Sequence, residues 1–226
     1  MKKCRLVSAA VTRPDVLMHH RRQRLYDAQQ RERVWREHEQ APASAVAVGV
    51  MGLGVLGSAA AVALARLGFR VAGWSRTPKA LPDIETFHGD DGLDAFLRCT
   101  EILVCLLPAT PATQGMLDRK LIRKLKRDGA AAGAYLINAA RGTLQVDADI
   151  LRALEDGSLA GATLDVFACE PLPTASPLWR HPKVTITPHN AAASDPHALA
   201  ANVLRQIERF EQGLPLEHVV DRARGY

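Results

Sequence analysis

A chain of 226 residues, 47% apolar and 23% charged, has the composition of a globular domain with room for a sizeable core. Its four cysteines share no CxxC spacing, which argues against both a zinc site and a disulfide framework and suits reduced thiols in a cytoplasmic protein. The apolar piece at 6–11 is shorter than a secretory core and stops at Thr12-Arg13-Pro14, so no export signal is expected.

The net charge of +5 is unevenly spread. From His19 to Gln40 the chain reads "HHRRQRLYDAQQRERVWREHEQ", with six arginines against four acids. Such a stripe can mark a nucleic-acid site, but Asp27, Glu32, Glu37 and Glu39 interleave with the arginines. A solvated, charged helix is expected, with Leu25, Val34 and Trp35 docking elsewhere and no nucleic-acid partner.

Next comes "VAVGVMGLGVLGSAAAVALA", within an uncharged run from Ser44 to Ala65. About 20 apolar residues suffice to cross a bilayer. The texture argues otherwise: Val46, Val48 and Val50 suit a buried strand, and Gly52, Gly54 and Gly57 then crowd together. Ser58 to Leu67 is helix-forming and Gly68 is its stop. With a second strand "FRVAGW" following, this is a GxGxxG turn in the context that a dinucleotide site requires. Gly52 would make the tight turn, Gly54 would let backbone N–H groups approach a pyrophosphate, and Gly57 would let helix pack on strand. No membrane association is expected.

NAD-specific sites carry a carboxylate at the end of the second strand, for the ribose 2′-hydroxyl. Here stand Ser75 and Arg76, with Lys79 nearby, so a 2′-phosphate would be attracted. NADP(H) is expected in preference to NAD(H), which remains possible.

Further along, a short strand is expected near Ile84–Phe87, a helix around Leu93–Arg98, and a buried strand in "EILVCLLP". A basic helical segment from Leu117 to Arg127, the strand of "AYLINAARG", a helix from Asp147 to Glu155, and strands in "AGATLDVF" and "HPKVTITPHN" follow. A last helix is expected from about Pro196 to Gln212. Strand and helix alternate throughout, which predicts an α/β fold with a Rossmann-type doubly wound parallel sheet.

Ligands of such sheets bind beyond the C-terminal strand ends. Arg141, Glu170 and His189 all fall there. A guanidinium could clamp a carboxylate bidentately, an imidazole could protonate a carbonyl oxygen, and a carboxylate could hold that imidazole in place. The set suits hydride transfer to a 2-oxo acid, without a metal.

"GLGVLG", "WSRT", "LLPATPATQGML", "YLINAARG", "LDVFACEPLP", "SPLWRHPKVTITPHNAA" and "VDRARGY" together resemble the D-isomer-specific 2-hydroxyacid dehydrogenases, nearest their glyoxylate/hydroxypyruvate reductase A type. The resemblance runs from about residue 16 to the end. It implies that Arg141, Glu170 and His189 match the family's catalytic arginine, glutamate and histidine. It further implies that Asp165 lies near the nicotinamide carboxamide and Thr113 on the adenosine side. Val55, Leu56, Leu107, Pro108 and Ala139 complete the implied cofactor-binding set with Gly52, Gly54, Gly57, Ser75 and Arg76. Expected from it is NAD(P)H-dependent reduction of glyoxylate or hydroxypyruvate by a homodimer.

The family places much of its substrate domain before the first Rossmann strand, and only 45 residues precede Val46 here. The expected organisation is an unrecognised segment 1–15, a charged linking helix 16–43, a dinucleotide-binding domain 44–192, and a C-terminal helix and tail 193–226, with the substrate domain largely missing. The alternative is therefore a cofactor-binding remnant with little or no turnover. Three alanines and a glycine in "KRDGAAAGAYLIN" look like an insertion in a turn, which loops tolerate cheaply.

Overall fold

The computed structural model describes residues 14–192, 196–217 and 219–220. Its strands are β1 (Ala47–Met51), β2 (Arg70–Ser75), β3 (Glu85–His88), β4 (Ile102–Cys105), β5 (Tyr135–Asn138), β6 (Gly161–Leu164) and β7 (Val184–Ile186). They form one seven-stranded sheet in the order β3-β2-β1-β4-β5-β6-β7. Every pairing is parallel.

Strands β1, β4, β5 and β6 are buried at every position, which is why the sequence shows continuous apolar runs there rather than alternation. The pleat divides their side chains between two cores. Leu103 and Cys105 face one, with Phe96 and Leu97 of α4 (Gly89–Arg98), Leu121 and Ile122 of α5 (Arg119–Arg123), and Ile150 and Leu154 of α6 (Asp147–Glu155). Ile102 and Val104 face the other, with Ala61 and Leu64 of α3 (Val55–Arg66). Helices on both faces make the sheet doubly wound, as the alternation of elements predicts.

Chain order reverses between β1 and β4: the chain builds outward through β2 and β3, then returns to the other side of β1. That crevice is where such folds bind ligands. No helix among the described residues is long and apolar enough to cross a membrane, because the glycine turn splits the uncharged run into β1 and α3.

The stretch expected as one linking helix is broken. It comprises α1 (14–20), α2 (Gln23–Glu32) and an extended arm over 34–42. Arg22 and Arg33 adopt left-handed backbone, with φ of 51° and 59°, and no helix continues through such residues. The expected docking of Leu25, Val34 and Trp35 is also corrected, since all three are exposed. Charge interleaving and sparse apolar residues resemble a solvated helix whether or not the backbone breaks.

The Ala-rich segment is a plug rather than a slack loop. Ala131 is buried in the core that holds Val16 and Tyr135, and its N–H donates to Glu101 Oε1 at 2.6 Å. Glu101 Oε2 accepts the N–H of Ala47 at 2.8 Å, so one buried carboxylate ties β1 to the segment. A Cβ on Gly129 would lie 2.1 Å from Glu101 Oε1, so glycine permits this approach.

Helix α1 docks through Val16 and His19, both buried. His19 Nε2 lies 2.9 Å from Thr163 Oγ1 of β6, and the ring stacks obliquely on Tyr135 at 4.8 Å. Burial, then the charge of Arg24, lowers the His19 pKa from 6.5 to about 4. Burial, then the charge of Asp165, raises the Asp15 carboxyl from 3.8 to about 6. The two act in opposite directions. Between pH 4 and 6.5 the unfolded chain holds the extra proton at His19, so that contribution to stability is lost on acidification. Between pH 3.8 and 6 the folded chain holds the extra proton at Asp15, so that contribution is gained on acidification. In Asp15→Asn only the His19 slope remains, and lowering the pH from about 7 to about 5 is expected to cost about 2 kcal/mol. The parent protein should lose less than half of that, and chemical unfolding at the two pH values measures both. An equal loss in both proteins would contradict the assignment.

Candidate active site and cofactor turn

The turn after β1 is built around its glycines. Gly52 has φ of +106°, and a Cβ on it would lie 2.7 Å from the carbonyl oxygen of Leu106, at the end of β4. A Cβ on Gly57 would lie 1.7 Å from Gly52 O, so the first turn of α3 sits directly on the strand end. At Gly54 a Cβ would meet nothing within 4 Å. The space above the middle glycine is therefore open while the other two are closed.

Gly54 is the N-cap of α3 with no side-chain cap, and the first turn carries no acid. The orphan N–H groups of Val55, Leu56 and Gly57 and the helix dipole thus face the opening without a competing carboxylate. Val55 and Leu56 are exposed there. A diphosphate fits this donor set.

At the end of β2, Ser75 is buried and its Oγ donates to Thr77 O at 2.8 Å, fixing the turn from which Arg76 projects. Arg76 and Lys79 are exposed, and Ser75 and Arg76 stand where a ribose-binding carboxylate would be. Beyond β4, Thr113 Oγ1 donates to Pro108 O at 2.7 Å and accepts the N–H of Thr110 at 2.9 Å, closing the loop from 108 to 113. Leu107 packs into the core, and its main-chain nitrogen is 3.0 Å from where a Cβ on Gly52 would stand. At Leu107 it is therefore the backbone, not the side chain, that adjoins the cofactor turn.

Beyond β5 the turn carrying Arg141 is shaped by Asn138. Its Nδ2 donates to Gln145 Oε1 at 2.8 Å and to Arg141 O at 3.2 Å, while its Oδ1 accepts the N–H of Ala140 at 3.1 Å. Ala139 follows directly, its N–H donating to Cys105 O at 3.3 Å. A Cβ on Gly142 would lie 1.8 Å from the carbonyl carbon of Phe167. Only glycine lets this turn touch the loop that bears Glu170.

Glu170 and His189 meet. His189 Nδ1 lies 2.8 Å from Glu170 Oε2, and Glu170 Oε1 accepts the N–H of Phe167 at 2.9 Å. The bond from His189, then that from Phe167, hold the Glu170 carboxyl below the usual carboxylate range, and the charge of Arg141 adds to this. A carboxylate can only accept, so Nδ1 carries the hydrogen between them and Nε2 is left for other partners. Arg141 is exposed and its Nη1 donates to Ala140 O at 2.6 Å, so it joins the pair through its field rather than by direct contact.

Asp165 holds His189 in place. Its Oδ1 accepts from Thr187 Oγ1 at 2.5 Å and from the N–H of Asn190 at 3.0 Å, and its Oδ2 accepts the N–H of Ala191 at 3.0 Å. The His189 N–H donates to Asp165 O at 2.8 Å. His189 has φ of 51°, a conformation that costs a non-glycine residue about 1 kcal/mol or more and that this network maintains. Strand and charge patterns do not single out Asn138, Gly142 or Thr187. Only Gly142, beside a strand-end arginine, leaves a trace in the sequence.

The family model of the D-isomer-specific 2-hydroxyacid dehydrogenase NAD-binding domain matches residues 15–191. The chain belongs to this family. It is 43% identical over 211 residues to glyoxylate/hydroxypyruvate reductase A of Yersinia enterocolitica, covering 93% of this chain and 66% of that protein. The same-named protein of Escherichia fergusonii is 44% identical over 89% of this chain and 63% of its own length. The chain thus spans slightly less than two thirds of these relatives.

Among solved structures, the NADPH-dependent glyoxylate/hydroxypyruvate reductase of Sinorhizobium meliloti, in complex with NADP and sulfate, superposes with a TM-score of 0.97 at 47% identity. The match covers 100% of this chain and 71% of that one. A probable 2-hydroxyacid dehydrogenase of Rhizobium etli, in complex with NADP, gives 0.95 at 48% identity, with the same coverages of 100% and 71%.

Proposed function

We propose that this dehydrogenase-family chain binds NADP(H) and reduces a small 2-oxo acid, glyoxylate or hydroxypyruvate, to the 2-hydroxy acid. The observation that carries the reading is the Glu170–His189 pair, 2.8 Å apart, on the loops after β6 and β7 at the same edge of the parallel sheet as the glycine turn after β1. In it, Gly52, Gly54 and Gly57 with the N–H groups of Val55 and Leu56 hold the diphosphate. Ser75 and Arg76 hold the 2′-phosphate. Pro108, Thr113 and Ala139, with the backbone of Leu107, border the rest of the cofactor, and Asp165 fixes the loop at its nicotinamide end.

When bound, the reduced nicotinamide supplies a hydride to the substrate's carbonyl carbon. Arg141 clamps the substrate carboxylate and polarises the carbonyl. His189 delivers a proton from Nε2 to the carbonyl oxygen, so that as the C=O π bond breaks the oxygen gains its O–H from the imidazole and the carbon gains its C–H from the hydride. Glu170 orients the imidazole and stabilises the imidazolium that precedes transfer. The products are the 2-hydroxy acid and oxidised cofactor, and the family membership supports this oxidoreductase assignment.

Cofactor choice is tested by fluorescence titration. NADPH is expected to bind more tightly than NADH, and Arg76→Ala to weaken NADPH binding by about 10- to 100-fold with little effect on NADH, the loss of one charge-assisted contact. Tighter binding of NADH by the parent protein would contradict the assignment.

A second reading, a cofactor-binding module with little turnover, is favoured by one feature. The side chains of His189 and Glu170 are 47% and 36% exposed, whereas hydride transfer needs a water-poor cleft. A homodimer whose partner helps to cover the site would reconcile the two, and self-association is part of the proposal.

A further inference from the structure

The Arg141 turn hangs on a chain of polar side chains whose direction is fixed at its far end. Asp147, the first residue of α6, accepts from Gln145 Nε2 at 2.8 Å. A carboxylate only accepts, so this bond decides which way the Gln145 amide faces. Gln145 Oε1 is thereby turned to Asn138 and accepts from its Nδ2 at 2.8 Å. That in turn leaves Asn138 Oδ1 for the N–H of Ala140, at 3.1 Å, and the second Nδ2 hydrogen for Arg141 O, at 3.2 Å. Asn138 and Gln145 are both buried. A flip of either amide would set donor against donor or acceptor against acceptor away from solvent, which is costly.

The product of this chain is the placing of one peptide unit. Asn138 grips the backbone on both sides of the Ala140–Arg141 bond, by the N–H before it and the carbonyl after it. The carbonyl between them, Ala140 O, is where the Arg141 guanidinium rests, with Nη1 donating at 2.6 Å. Arg141 itself is in extended backbone, φ −142° and ψ 144°, which many residues adopt and which does not by itself fix that peptide. The later part of the turn has separate support. Gly115 N–H donates to Thr143 O at 2.9 Å, Leu117 N–H to Leu144 O at 2.8 Å, and Leu144 N–H to Arg141 O at 3.2 Å. Loss of the amide chain therefore frees the Ala140 side of the peptide while the turn beyond Arg141 stays pinned.

We propose that Asn138 and Gln145, directed by Asp147, are positioning residues for the Arg141 guanidinium: they aim the Ala140 carbonyl on which it rests and so hold it ready for the substrate carboxylate. The inference rests on the proposed role of Arg141 and deepens it. On binding, the guanidinium exchanges one backbone acceptor for a carboxylate. A long side chain already held on a fixed carbonyl has fewer rotamers to lose in that exchange.

Exchanging donor and acceptor along the chain tests it. Gln145→Glu sets a second carboxylate against Asp147 and removes the bond between them. Gln145→Glu/Asp147→Asn restores that bond in reverse, because the new amide at 147 donates to the new carboxylate at 145, which still accepts from Asn138 Nδ2. Gln145→Glu is expected to raise the glyoxylate KM about 10-fold with NADPH affinity within about twofold of the parent's, the signature of a misplaced substrate clamp. Labelling of Arg141 by phenylglyoxal, read by mass spectrometry against Arg76 in the same sample, is expected to quicken about threefold, the worth of one weakened hydrogen bond. The double variant is expected to bring both values back to within about twofold of the parent's. Gln145→Met, which removes the bonds without adding charge, is expected to give the same shifts and replaces Gln145→Glu if that variant does not fold. A KM and a labelling rate that neither single variant changes would overturn the proposal and leave the proposed reaction standing. Shifts that persist in the double variant, or that come with a matching fall in NADPH affinity, would overturn it too, since they mark a general loosening of the turn. A parent protein without glyoxylate-dependent oxidation would overturn the proposed reaction instead. Labelling then decides the positioning alone: quickening in Gln145→Glu with recovery in the double variant upholds it, and anything else overturns it.

Discussion

His189→Ala is expected to lower glyoxylate-dependent NADPH oxidation by about 10²- to 10⁴-fold, the usual worth of a general acid, while NADPH affinity changes by less than about twofold. The separation follows from the geometry. His189 hangs on the loop after β7 and bonds to Glu170, whereas the proposed diphosphate site is the turn between β1 and α3. Glu170→Gln should produce a smaller loss, because an amide still accepts the Nδ1 hydrogen but does not stabilise an imidazolium. Steady-state rates with parallel binding titrations measure both, and equal loss of binding and turnover in His189→Ala would contradict the acid role.

The second large effect is expected in the cofactor turn. Gly57→Ala would place a methyl carbon 1.7 Å from Gly52 O, a backbone atom that cannot swing aside as a side chain can. Helix α3 must move off β1, displacing the N–H groups proposed to hold the diphosphate. NADPH affinity is expected to fall by more than about 100-fold and stability by about 1–3 kcal/mol, the range for forced overpacking. Gly54→Ala serves as the contrast, since a Cβ there meets nothing within 4 Å of protein. It should leave stability nearly unchanged and weaken only the cofactor, which is read by pairing denaturant unfolding with titration.

The fold is legible in the sequence because buried parallel strands leave an unambiguous pattern. Runs such as Ile102–Cys105 and Tyr135–Asn138 are apolar on both faces, and the glycines after β1 punctuate strand and helix. Boundaries are less legible where local composition and tertiary contacts disagree. The basic segment after Leu117 yields only the short α5, Arg119–Arg123, followed by a turn and then the plug that Glu101 anchors. Nothing in a run of alanines distinguishes a solvated insertion from one that fills a core beneath α1.

The site follows the same division. Arg141, Glu170 and His189 can be picked out because each is a charged or titratable residue at the end of an apolar strand. Their supports cannot. Asn138 reads as one more residue of β5, yet its amide shapes the Arg141 turn through three hydrogen bonds. Asp165 enters only through the resemblance, as a residue near the nicotinamide carboxamide, and nothing in the sequence shows that both its oxygens are engaged by the loop that carries His189. The arm is a similar case: its breaks at Arg22 and Arg33 need left-handed arginines, which no sequence rule anticipates. The terminal "VDRARGY" motif and the segment before residue 14 lie outside the described residues apart from Val220.

The most direct test of the proposed reaction is the loss of nicotinamide absorbance when glyoxylate is added to the 226-residue protein and NADPH, with Arg141→Ala as the control. The expected result is substrate-dependent oxidation that Arg141→Ala abolishes without weakening NADPH binding. Tight NADPH binding with no glyoxylate- or hydroxypyruvate-dependent oxidation would contradict it, and would leave a dinucleotide-binding module that carries the family's residues without its reaction.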